Sequence, residues 1–134
     1  MPVKVVLDTN ILVSALLSPT GAPARVLALV LQGDLLPCHN RSIIAEYRAV
    51  LSRPKFNLDP HMTNQLVQDI ETHGLPVITQ PMDGLVADPD DAPFAAVAVT
   101  AGATLVTGNT KHFPGVPSAI GPAGFLGGLG QQDG

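Results

Sequence analysis

Short apolar runs alternate along the chain with segments of helical spacing, and this alternation restricts the possible folds more than any other feature. The runs at 4–7, 35–39, 75–79 and 104–107 are too short for helices and rich in Val and Leu. Between them the sequence predicts helices over 10–17, 23–32, 42–53, 62–72 and 92–101. Strands without polar alternation that are separated by helices are typical of a parallel sheet covered on both faces. We therefore predict an α/β fold, with a further short strand at 118–120.

The chain has the size and the apolar content of one domain. It has 134 residues, of which 46% are apolar and 13% charged, enough to close a single core. From Gly121 onward six of fourteen residues are glycine, which is unfavourable for regular structure. We predict one domain over 1–126, with Phe125 and Leu126 as its last anchors, and a flexible glycine-rich tail over 127–134.

Composition also excludes several classes of protein. The longest apolar runs have six residues, far fewer than the roughly 18–20 that cross a bilayer, so we expect no membrane segment. The first apolar run ends at Asp8 without a cleavage motif, which predicts a cytoplasmic protein without a secretory signal. The single Cys38 excludes an internal disulfide and a cysteine zinc site. A net charge of −4 disfavours a protein that coats nucleic acid broadly, so any contact with RNA must be local.

Acidic residues stand near the ends of the predicted strands. Asp8 follows the first strand, Glu46 lies one turn into the helix after the second, and Asp91 opens the helix before the fourth. The carboxyl ends of parallel strands meet at one edge, and two carboxylates about 4 Å apart repel by roughly 4 kcal/mol. Oxygen ligands without Cys or His select Mg²⁺ or Mn²⁺. One or two such ions would support phosphoryl transfer to water.

Three blocks of sequence resemble one known family. VVLDTNILVSALLSP, RSIIAEYRAVLSRPKF and DPDDAPFAAVAVTAGATLVTGNTKHFP are similar, in order and spacing, to PIN-domain ribonucleases over roughly residues 3–126. The similarity is closest to the VapC toxins of bacterial toxin–antitoxin pairs. The resemblance implies a Rossmann-like three-layer α/β/α fold with a short parallel central sheet. It also implies metal-dependent cleavage of RNA, a homodimer and a cognate antitoxin as partner.

The family's site residues can be carried over by position. Asp8, Glu46 and Asp91 match the catalytic, metal-binding carboxylates, and Asp88, one turn before Asp91, competes for the third place. Asn109 departs from the pattern, since many members have an aspartate there. An amide brings no charge, which would weaken a second ion site.

Other polar residues are expected to support this site. Asn10, Thr107 and Asn109 are predicted to orient the ligands, although each could also satisfy backbone groups at a strand end. Four basic residues near Glu46 are candidates for RNA contact: Arg41, Arg48, Arg53 and Lys55. The four histidines lack ligand spacing and are expected at the surface.

Purely structural roles of the acidic residues, and other functions of the chain, are alternatives to this interpretation. Asp8 could be only a helix cap, and Asp88 and Asp91 only part of a solvated turn. The whole chain could be a catalytically weak module that binds RNA or a partner, as Asn109 and the few basic residues suggest. A phosphoacceptor domain is disfavoured, because 61–79 offers no aspartate that ends a central strand.

Overall fold

The computed structural model describes residues 2–132. It contains four strands, β1 (Val3–Leu7), β2 (Leu35–His39), β3 (Leu75–Pro76) and β4 (Thr104–Val106). Its α-helices are α1 (Thr9–Leu17), α2 (Ala22–Leu31), α3 (Arg41–Leu51), α4 (Pro60–His73), α5 (Ala92–Ala101) and α6 (Pro122–Gln132). Short 3-10 turns cover Pro54–Phe56, Pro89–Asp91 and Thr110–His112.

The four strands form one parallel sheet in the order β3-β2-β1-β4. The central strand β1 shows why the sheet is covered on both faces: Val5, Val6 and Leu7 are all buried, although neighbouring side chains point to opposite faces. Helix α5 packs on β1, β2 and β4, while α2 packs on β2 and on the helices α1 and α6. The predicted three-layer α/β/α fold is therefore confirmed.

Two predicted strands are shorter than the sequence indicated. The strand expected at 75–79 ends at Pro76, because its neighbour β2 ends at His39 and the chain then turns into α3. The strand expected at 118–120 is reduced to a single bridge between Ile120 and Val106. There the Ser118 hydroxyl contacts the Leu105 N–H and the Ala103 carbonyl in place of a backbone ladder.

The prediction of a tail without regular structure from residue 127 is wrong over 127–132, where α6 continues to Gln132. Pro122 suits the first turn of a helix, Phe125 is buried, and Leu126 and Leu129 pack against the core. Packing against the core stabilises a helix whose glycines disfavour it. The expectation for 133–134 lies outside the described residues.

Among residues 2–132, no single helix has the length and apolar content needed to cross a membrane. Helices α1 and α2 pass that test only as a pair, with a bend of 105° between them.

Candidate active site

The site begins where β1 and β4 lie side by side. β2 and β3 lie on one side of β1 and β4 on the other, and in open parallel sheets ligands bind at the carboxyl ends of the strands at such a switch in strand order. Leu7 pairs with Val106, so Asp8 and Thr107 follow as neighbours. Thr107 Oγ1 donates a hydrogen bond to Asp8 Oδ2 at 2.7 Å. A buried carboxylate therefore lies at the edge where this fold binds ligands.

The side chain of Asp8 does not cap α1. It occupies the N-cap position, but its side chain makes no capping hydrogen bond, and only its backbone carbonyl accepts the Ile11 N–H, at 2.9 Å. Burial raises the pKa of Asp8 above its usual range, while the Thr107 hydroxyl, the Thr9 N–H and His112 oppose that rise. The carboxylate is thus held in a site that disfavours its charge, which is typical of functional acids.

Glu46 is brought to Asp8 by α3. The Thr9 hydroxyl donates a hydrogen bond to Glu46 Oε2, which joins the first residue of α1 to the middle of α3. Beside it, the buried Tyr47 hydroxyl donates to the Leu7 carbonyl and so fixes α3 against the end of β1. Burial raises the pKa of Glu46, Thr9 opposes the rise, and the charges of Asp8, Asp90 and Asp91 add to it.

Asp91 completes the acidic group from the other side. It ends the 3-10 turn before α5 and is held 3.6 Å from His112 Nδ1, measured from its Oδ2. Burial raises the pKa of Asp91, the charges of Asp8, Asp88 and Asp90 add to the rise, and His112 opposes it. The charge of Asp8 therefore raises the pKa of both other predicted carboxylates.

Asp88 serves mainly the turn that precedes Asp91. Its Oδ1 accepts the Asp90 N–H at 2.9 Å, and its backbone carbonyl accepts the Asp91 N–H at 3.0 Å. The side chain of Asp88 is exposed, whereas Asp91 is half-buried. The geometry thus favours Asp91 over Asp88 as the third carboxylate.

The predicted supporting residues connect the loops after β1 and β4. Asn10 Oδ1 accepts the Gly108 N–H at 3.3 Å, and the Asn109 N–H donates to Thr107 Oγ1 at 3.0 Å. The Thr107 hydroxyl therefore accepts one hydrogen bond and donates another to Asp8. Asn109 acts here through its backbone, and it is exposed.

The donor set suits a divalent cation held partly through water. Within residues 2–132, no three His, Cys, Asp or Glu side chains lie close enough to hold an ion together. Mg²⁺, however, keeps several waters and takes one or two carboxylates. The observation that supports the fit is that the charge of Asp8 raises the pKa of both Glu46 and Asp91, because a cation relieves the repulsion between neighbouring carboxylates.

The four basic residues divide into two groups. Arg41 and Arg48 line a groove of about 610 Å³ beside α3. Arg53 and Lys55 lie beyond the end of α3, where Lys55 Nζ sits 5.1 Å from the centre of the Phe56 ring. Arg41 and Arg48 thus share a concave surface.

Sequence reasoning missed Thr9, Tyr47 and His112 as parts of the site. The signal for His112 was its place in the loop after the fourth predicted strand, three residues beyond Asn109. The expectation that every histidine is at the surface is wrong for His39, which is buried at the end of β2 with its Nε2 3.2 Å from the Glu71 carbonyl oxygen. A histidine that ends a strand of the sheet is enclosed by the helices that cover it.

Known proteins share the sequence pattern and the fold. The uncharacterized protein MJ1680 of Methanocaldococcus jannaschii is 29% identical over 110 residues, which cover 80% of this chain and 71% of the relative. The crystal structure of VapBC2 from Rickettsia felis, bound to a DNA fragment from its promoter, has a similar chain at a TM-score of 0.58 and 21% identity, covering 87% of this chain and 96% of that one. PAE2754 from Pyrobaculum aerophilum superposes at a TM-score of 0.59 and 21% identity, with 98% and 100% of the two chains covered.

The family model described as the PIN domain matches residues 4–111. This range includes β1 with Asp8, α3 with Glu46, the turn with Asp91 and the loop after β4. The chain therefore belongs to the PIN domain family.

Proposed function

We propose that this protein is a metal-dependent ribonuclease that hydrolyses RNA phosphodiester bonds with Asp8, Glu46 and Asp91. The observation that carries the proposal is the buried Asp8 carboxylate at the carboxyl end of β1, whose charge raises the pKa of both Glu46 on α3 and Asp91 before α5. Such an arrangement costs stability and is typical of a site that binds cations. Asp88 is a subsidiary candidate as a metal ligand.

The side chains divide the work between binding and positioning. Asp8, Glu46 and Asp91 would hold Mg²⁺ or Mn²⁺, as one or two ions. When bound, such an ion supplies positive charge to the scissile phosphate and acidifies a water molecule. Thr107 fixes the orientation of Asp8 and Thr9 that of Glu46. Asn10 and the Asn109 backbone keep the two loops in register.

The biological setting belongs to the same proposal. The similarity of fold to VapBC2, which binds a promoter DNA fragment, supports the role of a toxin paired with an antitoxin protein. A homodimer and a cytoplasmic location are part of this proposal. RNA contact by Arg53 and Lys55 stays a prediction, and contact by Arg41 and Arg48 is developed below.

A catalytically weak module that binds RNA or a partner is the second candidate. Two observations favour it: no three acids among the described residues form a ready metal cage, and Asn109 stands where the resemblance leads one to expect an aspartate. Such a module would keep the fold and bind RNA or a partner without cleaving RNA.

The decisive test compares Asp8→Asn with a matched control, Asp34→Asn. Asp34 is an exposed aspartate before β2, outside the site. Purified proteins are incubated with structured and unstructured RNAs, with Mn²⁺, Mg²⁺ or chelator. A bound metal ion contributes several kcal/mol to phosphate chemistry, so we expect Asp8→Asn to lower cleavage by about 100-fold or more.

Asp34→Asn should cleave like the wild type. Cleavage by Asp8→Asn at the wild-type rate, or cleavage that persists in chelator, contradicts the assignment. A wild type that binds RNA or a partner but never cleaves RNA supports the second candidate.

A further inference from the structure

We propose that the groove beside α3 binds single-stranded RNA next to the acidic site; this inference rests on the proposed ribonuclease function. We call this feature the α3 groove: a hollow of about 610 Å³ whose lining includes Arg41, Ile44, Arg48, Glu71, Val77 and Ile78.

The two arginines stand on one face of α3. Arg41 and Arg48 are seven residues apart, which is nearly two turns and about 10 Å along the helix axis. Arg41 is exposed and makes no ion pair with the described residues. Two cations at this separation can contact two phosphates of one strand, which is the contact that fixes the path of a nucleic acid backbone.

Arg48 is available to a phosphate although it has a partner. Its Nη2 lies 3.5 Å from Glu71 Oε1, and the two side chains are 45% and 49% exposed. Ion pairs this exposed contribute little to stability. A phosphate, which can bind a guanidinium through two parallel hydrogen bonds, can therefore displace the carboxylate.

Apolar side chains also line the α3 groove. Ile78 is 90% exposed, the highest value among the large apolar residues described as exposed, and it lines this groove with Val77 and Ile44. RNA bases stack on aromatic side chains or on guanidinium planes. The α3 groove offers the guanidinium planes of Arg41 and Arg48, with apolar surface beside them.

A second hollow adjoins the α3 groove. Asn40 lines the groove and also this hollow of about 320 Å³, whose other walls include Ser42, Thr79 and Pro89. Pro89 begins the turn that ends with Asp91. In the proposed complex, the RNA strand would run from the acids past Asn40 into the α3 groove.

The edge of the sheet favours RNA over a peptide as the occupant. A peptide that adds a strand needs free backbone donors and acceptors along the edge. β3 has only two residues, Pro76 has no N–H, and the Val77 N–H is already donated to the His39 carbonyl at 2.8 Å. A phosphate backbone requires only the cations.

The experiment measures RNA binding without cleavage, in the Asp8→Asn background. Fluorescence anisotropy with a labelled, unstructured RNA of about 12 nucleotides gives Kd over a range of salt concentrations. Arg41→Gln combined with Arg48→Gln should raise Kd about tenfold or more. It should also lower the slope of log Kd against log salt by about 1.4, the value for two phosphate contacts on a single strand.

The control removes the same charge elsewhere. Lys4→Gln combined with Arg25→Gln lowers the net charge equally, and both residues are exposed and outside the groove. We expect this pair to change Kd less than about twofold, because its charges lie away from the bound strand.

Two single variants probe the groove from other directions. Glu71→Gln removes the competing carboxylate and should tighten RNA binding several-fold. Ile78→Ser should weaken RNA binding several-fold and leave the salt slope unchanged, because it removes apolar surface and no charge.

Several results overturn the proposal while leaving the ribonuclease intact. Equal losses in the groove pair and the control pair are one such result, and a larger loss from Arg53→Gln combined with Lys55→Gln is another. The groove belongs instead to an acidic protein segment if poly-glutamate binding depends on Arg41 and Arg48 while RNA binding does not. A wild type that neither cleaves nor binds RNA overturns both proposals together.

Discussion

At the scale of single residues, Thr107 has the most consequential hydrogen bond in the site. It is fully buried at 0% exposure, donates to Asp8 and accepts from the Asn109 backbone. The bond partly offsets the cost of burying the Asp8 carboxylate. The residues that lie closest to the proposed chemistry therefore depend on partners that are distant in sequence.

Replacing Thr107 with Val should destabilise the protein in a pH-dependent way. The loss of a hydrogen bond to a buried carboxylate costs about 1.5–3 kcal/mol of unfolding free energy. Because the folded-state pKa of Asp8 is already raised, the valine raises it further, and the ionised form is penalised more. Stability contributed by Asp8 is complete below its unfolded pKa and is lost as pH rises through the folded pKa.

The loss of unfolding free energy in Thr107→Val is therefore larger at pH 7 than near the pKa of aspartate in the unfolded chain, about 3.9. Urea unfolding at the two pH values measures it. Thr104→Val, at the start of β4 and without a side-chain hydrogen bond in the described structure, should lose far less unfolding free energy. A deficit that is independent of pH contradicts the assigned role of the Thr107 hydroxyl.

At the scale of elements, α6 shows packing prevailing over composition. Its glycines favour an irregular chain, yet the helix runs over Pro122–Gln132 and buries Phe125 against the core. Added methyl groups at Gly127 and Gly128 meet no neighbouring atom within 4 Å. These two positions can therefore report whether the segment is helical.

Gly127→Ala and Gly128→Ala should each raise the unfolding free energy by about 0.5–1 kcal/mol, because alanine favours the helix. Thermal unfolding followed by circular dichroism checks this. Gly102→Ala should instead lower the unfolding free energy, because Gly102 ends α5 with a φ of +64°, a conformation in which alanine is strained. No gain from either α6 variant would indicate that the segment is not helical in solution.

At the scale of the whole molecule, the fold holds its acids together at a cost to stability. Burial raises the pKa of Asp8, and burial together with neighbouring carboxylates raises the pKa of Glu46 and Asp91, so each acid destabilises the folded state at neutral pH relative to acid pH. A site that is strained in this way gains stability when a cation binds. The stability of the protein and its proposed metal dependence should therefore be linked.

Mn²⁺ at ten times its Kd should stabilise the wild type by about 1.4 kcal/mol, and more as pH rises through the raised pKa values. Differential scanning calorimetry with metal and with chelator measures the shift in Tm. Asp34→Asn should keep the shift. Asp8→Asn should lose it and be more stable than the wild type without metal, because a neutral amide replaces a buried charge.

A shift that survives in Asp8→Asn would place the ion elsewhere. The absence of any shift in the wild type would support the catalytically weak module.

The order of the elements and the identity of the candidate acids could be predicted from the sequence. Apolar runs such as 4–7, and the polar residue that follows each run, are local features of the sequence. Because parallel strands share a carboxyl edge, these polar residues are expected at one edge of the sheet. The lengths of β3 and of the strand near Ile120 could not be predicted from the sequence, because a strand continues only where a neighbouring strand continues beside it.

The sequence by itself determined an α/β chain with Asp8, Glu46 and Asp91 near strand ends. Only the tertiary structure decided which partners hold them: Thr107 lies 99 positions from Asp8, and Thr9 lies 37 from Glu46. It also decided that α6 is a helix and that Arg41 and Arg48 share a groove. The physical reason is that periodicity and propensity act over a few residues, whereas burial, charge repulsion and hydrogen bonding act between side chains that meet only after the core has closed.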